Sequence, residues 1–286
     1  KELRKLLSEF RDGYLKTAAG KQHLASYERD RLAIQANFHA VLEQERQGLD
    51  TTDTVLCKLL PHSDTAPNRD SGKLVSIAPV ITTDLRQWFE GVKWATPEDW
   101  PGIARAILRF YQRCQADPAV LEVAVKEFLA QEIKGIQAGY LSPILAGLRP
   151  DQFRISNKKP RQVLGYLRNQ EYGAGLDQYP RFNSDLGELL TWIEPDLVAL
   201  CDAPGQPAAD LFDCYSHWLV GVRNFFNRKY WKIAPGELAH DWERQLSAGV
   251  IAIGWEKIKD LSWFDSKEVY CIHPVKTLPC QGIGCG

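Results

Sequence analysis

The stretch Thr96-Pro97-Glu98-Asp99-Trp100 has the composition of a helix start. A threonine before the helix, a proline in its first turn and acidic residues near its amino end are the usual signals. Apolar residues then recur at helical spacing, at Ile103, Ile107 and Phe110, and continue to Cys114. The stretch therefore predicts an amphipathic helix that turns one face to a core.

Similar patterns extend on both sides, and they predict a mainly α domain over residues 1–227. Apolar spacing predicts an amphipathic helix within 1–48 that Gly48 ends, and prolines break 179–207 into short helices. Thr82 or Thr83 is placed to cap a helix through Trp88. Further helices are expected in 53–60, from Asp117-Pro118 onward, from Pro160 onward and in 211–226, with an exposed loop over 61–72, while 137–148 is apolar and rich in small residues.

Three tryptophans, Trp88, Trp94 and Trp100, lie close together in this helical region. Tryptophans at helix-like positions usually pack into a core, because each buries a large apolar area. We therefore predict that all three are buried. His217, beside Trp218 in an apolar helix, is likewise expected to be a hydrogen-bonded core histidine.

Composition narrows the class of protein. The chain has 286 residues, of which 44% are hydrophobic and 25% charged, which predicts a soluble globular protein of one large or two ordinary domains. No apolar run approaches the roughly 20 residues that a membrane span needs. No leader pattern occurs, so we expect a cytoplasmic protein that does not contact the membrane.

Positive charge is concentrated in residues 149–168, where six Lys and Arg face one acid, a net charge of +5. Lys158, Lys159 and Arg161 surround Pro160, a residue that fits a first helical turn. Backbone amides at such a turn favour an anion. The three cations are therefore candidate contacts to a nucleic-acid backbone, and a solvated basic turn is the alternative.

A second basic stretch combines cations with aromatic residues. Four cations and no acid occur in 223–232, and Arg228, Lys229 and Lys232 are candidate phosphate contacts. Trp231 begins a series that also contains Trp242 and Trp255. Large aromatics beside cations are what a site needs to stack a base and hold a phosphate. Alternation in 230–234 and an apolar run in 250–255 predict two strands around a helix.

The order of these residues resembles the opening of an EVE-type domain, a PUA-like relative of YTH domains. The resemblance rests on Tyr230-Trp-Lys-Ile-Ala-Pro-Gly236, Ile253-Gly-Trp255 and Asp260-Leu-Ser262. Upstream segments resemble the helical region that precedes this domain in McrB-like GTPases of modification-dependent restriction systems, so the likeness covers most of 52–264. They include 55–65, 88–91, 98–101, 141–150, 157–161, 210–213 and 217–218. The likeness departs at Lys158-Lys159-Pro160, where Asn-Lys-Ser is expected.

The resemblance implies a fold and a function. A mainly α domain over 1–227 is followed by a partial α+β PUA-like (EVE-type) β-barrel over 228–286, which we expect to be incomplete. The protein would bind DNA that carries a modified base, flip that base into an aromatic pocket and serve a bacterial defence system. A AAA+ GTPase and a McrC-like nuclease subunit are the implied partners. The implied pocket consists of Trp231 and Trp255 as walls, Trp242 behind them, and Asp260 and Ser262 at the polar edge of the base.

Alternative interpretations remain open at these positions. Trp231, Trp242 and Trp255 are also explained as core residues, and Asp260 and Ser262 as caps of a helix. A binder of modified RNA, or a helical interaction scaffold whose basic runs are solvated faces, are the alternative functions. The sequence has no G-x-x-x-x-G-K-[ST], G-x-S-x-G or H-E-x-x-H motif, so we expect no enzymatic activity. Cys271, His273, Cys280 and Cys285 lack the paired spacing of zinc sites, so neither a metal nor another cofactor is predicted.

Overall fold

The computed structural model describes residues 2–76, 78–201 and 205–226, together with Glu243 and Ser247. The chain divides into two compact units, Lys1–Asn227 and Arg228–Gly286. Nearly all of the described residues belong to the first unit, whose regular structure is helical.

Eleven α-helices occur in the described part of the first unit. In chain order they are α1 (Glu2–Phe10), α2 (Ala18–Arg46), α3 (Thr52–Lys58), α4 (Ala66–Asp70), α5 (Leu85–Gly91), α6 (Trp100–Ala116), α7 (Leu121–Leu129), α8 (Ala138–Leu148), α9 (Lys158–Arg168), α10 (Tyr179–Cys201) and α11 (Ala208–His217). Short 3-10 turns precede three of them, and π-helical turns follow two: Pro97–Asp99 before α6, Pro118–Val120 before α7, Leu176–Gln178 before α10, Arg11–Leu15 after α1 and Trp218–Val222 after α11.

Side chains near the first turns satisfy amide groups that a helix leaves free. Before α6, the Thr96 amide donates to Asp99 Oδ2 at 2.7 Å, which confirms the predicted start of that helix. Asp117 Oδ1 accepts from the amide of Ala119 at 3.0 Å in the turn before α7, also as predicted. Gly48, two residues beyond the end of α2, has a φ of 71°, the left-handed conformation that favours glycine.

Some local predictions are wrong. The cap of α5 is Asp84, whose carboxylate accepts from the Gln87 amide at 2.9 Å, and not Thr82 or Thr83. The predicted short helices of 179–207 are largely one helix, α10, which contains Pro195. A proline removes one backbone hydrogen bond, but packing along the rest of a long helix can outweigh that loss.

The predicted fold class is also wrong. A mainly α domain followed by a partial α+β PUA-like barrel requires strands, and the described residues contain no β-strand. Their only β pairing is two isolated bridges from His62, to Val75 and to Ile81. The barrel prediction falls on 228–286, which lie outside the described residues except for Glu243 and Ser247. It came from the EVE-type resemblance and from short patterns in 230–234 and 250–255, and patterns of five or six residues do not separate strand from helix.

The core of the first unit depends on a close approach of α2 and α8. Gly147 on α8 lies against Ile34 of α2, and a Cβ added at Gly147 would meet Ile34 Cδ1 at 2.5 Å. Ile34, Leu141, Ile144 and Leu145 are buried around this contact. None of the described helices is long and apolar enough to span a membrane.

The α2–α8 contact yields a testable prediction. We expect Gly147→Ala to lower the free energy of unfolding by about 1–3 kcal/mol, because Ile34 must move within a packed core. The matched control is Gly102→Ala on α6, where an added Cβ meets no atom within 4 Å. This control should raise stability by up to about 1 kcal/mol through helix propensity. Urea denaturation followed by circular dichroism would measure both, and equal effects would contradict the proposed close packing.

Candidate nucleic-acid interface

The predicted cations of the first basic stretch lie together at the start of α9. Lys158 and Lys159 are the first two residues of the helix, and Arg161 is the fourth. Pro160 is buried in the first turn, which confirms the position expected from its fixed backbone angle. Asn157 caps the helix, since its Oδ1 accepts from the Lys159 amide at 3.0 Å. The cap is therefore asparagine, so the helix begins without the serine expected from the resemblance to McrB-like proteins.

The three cations have different surroundings. Lys158 is exposed, and it forms no ion pair within the part of the chain that the structure describes. Arg161 is half-buried, and its Nη1 donates to the Ser156 carbonyl at 3.2 Å. Burial lowers the pKa of the Arg161 guanidinium. A cation that has lost part of its hydration gains more from an anion than a fully hydrated one does.

Lys159 is held by a histidine of a neighbouring helix. Its Nζ lies 2.9 Å from Nδ1 of His217, the last residue of α11. An ammonium group only donates, so Nδ1 accepts and the His217 ring is neutral. Burial, and then the Lys159 charge, lower the pKa of His217. His217 is hydrogen-bonded as predicted for a core histidine, but it is only partly buried.

A network of side chains from α2 and its preceding turn continues behind His217. The His217 and His23 ring centroids are 4.7 Å apart, and the hydroxyl of Tyr14 lies 2.9 Å from His23 Nδ1. The Tyr27 hydroxyl donates to Asp213 Oδ2 at 2.6 Å and lies 3.4 Å from His23 Nε2. The network therefore links the start of α9 to the buried contact between α2 and α11.

The network changes the titration of its members. Burial is the main cause that lowers the pKa of His23 to about 4, and the neighbouring His217 and Lys159 lower it further. Burial also raises the pKa of Asp213 to about 6, against the hydrogen bond from Tyr27. Near neutral pH both histidines are therefore uncharged, and Lys159 remains the cation of the network.

Sequence reasoning missed His23, Tyr27 and Asp213. A signal was present, because Asp210 and Asp213 occur in an otherwise apolar helix and acids are rarely buried without a partner. The sequence does not give the partners, which come from α2. Arg31 pairs with Asp210 at 2.7 Å in the same interface.

The low pKa of His23 predicts a pH-dependent stability. The unfolded histidine has a pKa near 6.5, so the unfolded chain takes up a proton first, and stability falls as the pH drops from about 6.5 toward 4. The raised pKa of Asp213 acts in the opposite sense below about 6, so the wild-type slope alone is uninformative. We expect His23→Gln to lose about 1–2 kcal/mol less than wild type between pH 7 and 4.5.

The control for this prediction is His39→Gln, a change at an exposed histidine on the same helix. Chemical denaturation at both pH values would measure the stability of wild type and of the two variants. If His39→Gln flattened the pH dependence as much as His23→Gln, the effect would not come from the buried network.

The three upstream tryptophans are not equivalent. Trp100 is buried as predicted, and its Nε1 donates to Glu90 Oε1 at 2.7 Å. Trp88 is 42% exposed and Trp94 is 39% exposed, so the prediction that both are core residues is wrong. The spacing of the three tryptophans predicted one buried cluster. The packed segments of the unit cover Trp100 almost completely and leave Trp88 and Trp94 partly exposed.

Other candidate residues from the sequence lie outside the described residues. These are the phosphate candidates Arg228, Lys229 and Lys232, the pocket candidates Trp231, Trp242, Trp255, Asp260 and Ser262, and the Cys271, His273, Cys280 and Cys285 set. Within the described ranges, no three His, Cys, Asp or Glu side chains are grouped as metal ligands would be.

Comparison with known proteins gives no relative. No protein-family model matches the chain, and neither a curated protein nor a solved structure matches it. The resemblance to McrB-like and EVE-type proteins therefore stays a prediction from the quoted motifs.

Proposed function

We propose that this protein binds nucleic acid and that the start of α9 contacts the phosphate backbone. The observation that supports this proposal is the position of Lys158, Lys159 and Arg161 within the first four residues of one capped helix. The Asn157 cap accepts from the Lys159 amide and Pro160 has no N–H, so the helix start attracts an anion mainly through the positive end of its dipole. Cations at the same place supply the electrostatic attraction that dominates nucleic-acid affinity.

Each side chain has a distinct role in this proposal. Lys158 is exposed and provides a mobile point charge that adapts to a phosphate. Lys159 uses one of its three N–H groups on His217, which fixes its position and leaves two for phosphate oxygens. Arg161 provides a planar fork that suits two oxygens of one phosphate. The site is thus partly preorganised, because Lys159 is ordered before the ligand arrives.

Recognition of a modified base is the finer part of the proposal, and it rests on the resemblance alone. Trp231, Trp255 and Trp242 would stack the base, while Asp260 and Ser262 would read its polar edge. Extrusion of a base costs a few kcal/mol, and one aromatic stack returns about 1–3 kcal/mol. Backbone contacts are therefore needed, and those of α9 would supply part of them. A AAA+ GTPase and a McrC-like nuclease would act as separate partners, and this chain would have no turnover of its own.

The backbone contacts are tested by a charge-matched comparison. We expect Lys158→Ala/Arg161→Ala to weaken binding to a short duplex and to reduce the slope of log K against log salt by about 2, close to one unit per lost contact. The control Lys21→Ala/Arg46→Ala removes two exposed cations from α2 and should leave the slope unchanged. Fluorescence anisotropy at several salt concentrations measures the slope. A shallow slope for wild type, or equal effects of the two double variants, would refute the α9 site.

Base recognition has a separate test. Matched duplexes that are unmodified or carry 5-methylcytosine, 5-hydroxymethylcytosine or N6-methyladenine should differ in affinity if one of these bases is read. Trp231→Ala should remove that difference and retain the salt-dependent term. Competition with an RNA of the same sequence distinguishes a DNA reader from an RNA reader, because only RNA offers the 2′-hydroxyl. Equal affinity for all duplexes would refute modified-base recognition.

A further inference from the structure

A basic groove lies between α6 and α7, on elements other than those of the α9 site. Arg105, Arg109 and Arg113 follow one another at every fourth residue of α6, and all three are exposed. With a helical rise of 1.5 Å per residue, consecutive arginines are about 6 Å apart along the axis. They line a cleft of about 500 Å³ whose opposite wall belongs to α7.

Two of the three arginines are available for a ligand. Arg113 pairs with Glu127 across the cleft. Arg105 and Arg109 form no hydrogen bond or ion pair within the ranges that the structure describes. Arg105 contributes to the lowered pKa of Asp50, after the hydrogen bonds from Thr52 and the charge of Arg86. Glu127 is the one acidic residue among the cleft residues.

An exposed aromatic pair lies beside the end of the cleft. The ring centroids of Trp88 and Trp94 are 5.5 Å apart, and the buried ring of Phe89 contacts both. Exposed indoles in contact with each other form an apolar patch, and contiguous apolar patches on a protein surface often mark a binding site. Lys93 precedes Trp94 in the chain, Lys134 precedes Gly135, and both lysines are exposed, so exposed indole surface and cations occur on neighbouring residues.

The backbone around Trp94 is built to hold that ring at the surface. Lys93, the residue before it, has a φ of 58°, a conformation that residues other than glycine rarely adopt. Gly135 has a φ of 80°, and a Cβ added there would meet Trp94 Cε3 at 2.5 Å. Any residue with a side chain at 135 would therefore displace the indole. Such positions persist only where surrounding structure fixes them.

Two short segments of chain connect the cleft to the aromatic pair. Gln131 lines the cleft and lies four residues before Gly135, which contacts Trp94. Gly102 lines the same end of the cleft, two residues after Trp100, whose ring lies 5.8 Å from that of Phe89. These short separations along the chain place the tryptophans near the end of the cleft that Gly102 and Gln131 line, with Arg105 one turn further along α6 and Arg109 beyond it.

We infer that this surface binds a single-stranded segment of nucleic acid. An unpaired base stacks on Trp94 or Trp88, and the adjoining phosphates lie against Arg105 and Arg109. Stacking platforms next to a cationic groove are how proteins hold single strands without reading sequence. The inference goes beyond the α9 contacts, because the surface is formed by other elements and has its own ligand.

An acidic protein segment is the competing ligand. It would satisfy Arg105 and Arg109 through carboxylates, but the exposed indole surface of Trp88 and Trp94 would then require a separate apolar contact. A nucleic-acid strand supplies the π-face and the regularly spaced anions in one molecule. The juxtaposition therefore favours the single strand.

The test uses the full chain and a labelled oligothymidylate of about twelve nucleotides, within the span of known single-strand sites. Anisotropy titrations should show about tenfold weaker binding for Trp94→Ala, the loss expected for one stacked base. Arg105→Ala/Arg109→Ala should reduce the salt slope by about 1.4, which corresponds to two single-strand phosphate contacts. Lys158→Ala/Arg161→Ala, measured in parallel, should change duplex binding more than oligothymidylate binding.

Matched controls separate site effects from general ones. Trp192→Ala removes an indole that is 78% exposed on α10, and Arg46→Ala/Arg69→Ala removes two exposed, ion-paired arginines. Both controls should bind as wild type does. Trp94→Phe keeps an aromatic face and should restore most of the affinity if Trp94→Ala is poorly folded, and circular dichroism would verify folding of every variant.

Two outcomes would overturn the inference. Oligothymidylate affinity that is unchanged in Trp94→Ala and in Arg105→Ala/Arg109→Ala would exclude this surface as a single-strand site. Binding of polyglutamate that depends on Arg105 and Arg109, together with weak oligothymidylate binding, would instead identify a surface that binds an acidic protein segment. If duplex binding did not depend on Lys158 and Arg161, the proposed function would be refuted. This inference would remain intact as long as oligothymidylate binding still depended on Trp94, Arg105 and Arg109.

Discussion

Two buried carboxylates on α11 impose the constraint on which the helical unit depends. Asp210 and Asp213 leave water when α11 packs, and a buried charge is tolerated only with a partner. α2 supplies both partners, Arg31 and Tyr27, at 2.7 and 2.6 Å. This requirement fixes the rotation and register of α2 against α11. The same helix, α2, packs against α8 where Gly147 meets Ile34, so polar and apolar contacts define one arrangement.

The polar interface also determines the chemistry of the α9 start. The Tyr27 hydroxyl donates to Asp213, and His23 lies partly buried beside His217 in the same network. Burial lowers the pKa of both histidines, so both rings are neutral near pH 7. A neutral His217 accepts a hydrogen bond from Lys159, which holds a charged ammonium group at the start of α9. Protonation of His217 would set two cations against each other. The positive charge of Lys159 at the proposed phosphate site therefore depends on the buried contacts between α2 and α11 that keep His217 neutral.

The two proposed surfaces would bind nucleic acid through different interactions, electrostatic attraction at one and base stacking with attraction at the other. The α9 start combines the helix dipole with three cations and offers no exposed aromatic ring within its first four residues. The cleft beside α6 adds exposed indoles, whose faces gain more from an unpaired base than from a stacked duplex. Long-range attraction is common to both surfaces, whereas preference for a single strand would come only from the tryptophans.

The sequence by itself determined the helical character of the first unit, the starts of α6, α7 and α9, and the clustering of Lys158, Lys159 and Arg161. These follow from local rules: apolar spacing of 3.6 residues, capping side chains and the fixed backbone angle of Pro160. Tertiary structure decided the rest. Burial of Trp100 but not of Trp88 or Trp94, continuation of α10 through Pro195, and the partners of Asp210 and Asp213 all depend on which distant segments cover a face. Local sequence carries no information about that coverage, because it is set by contacts between residues far apart in the chain.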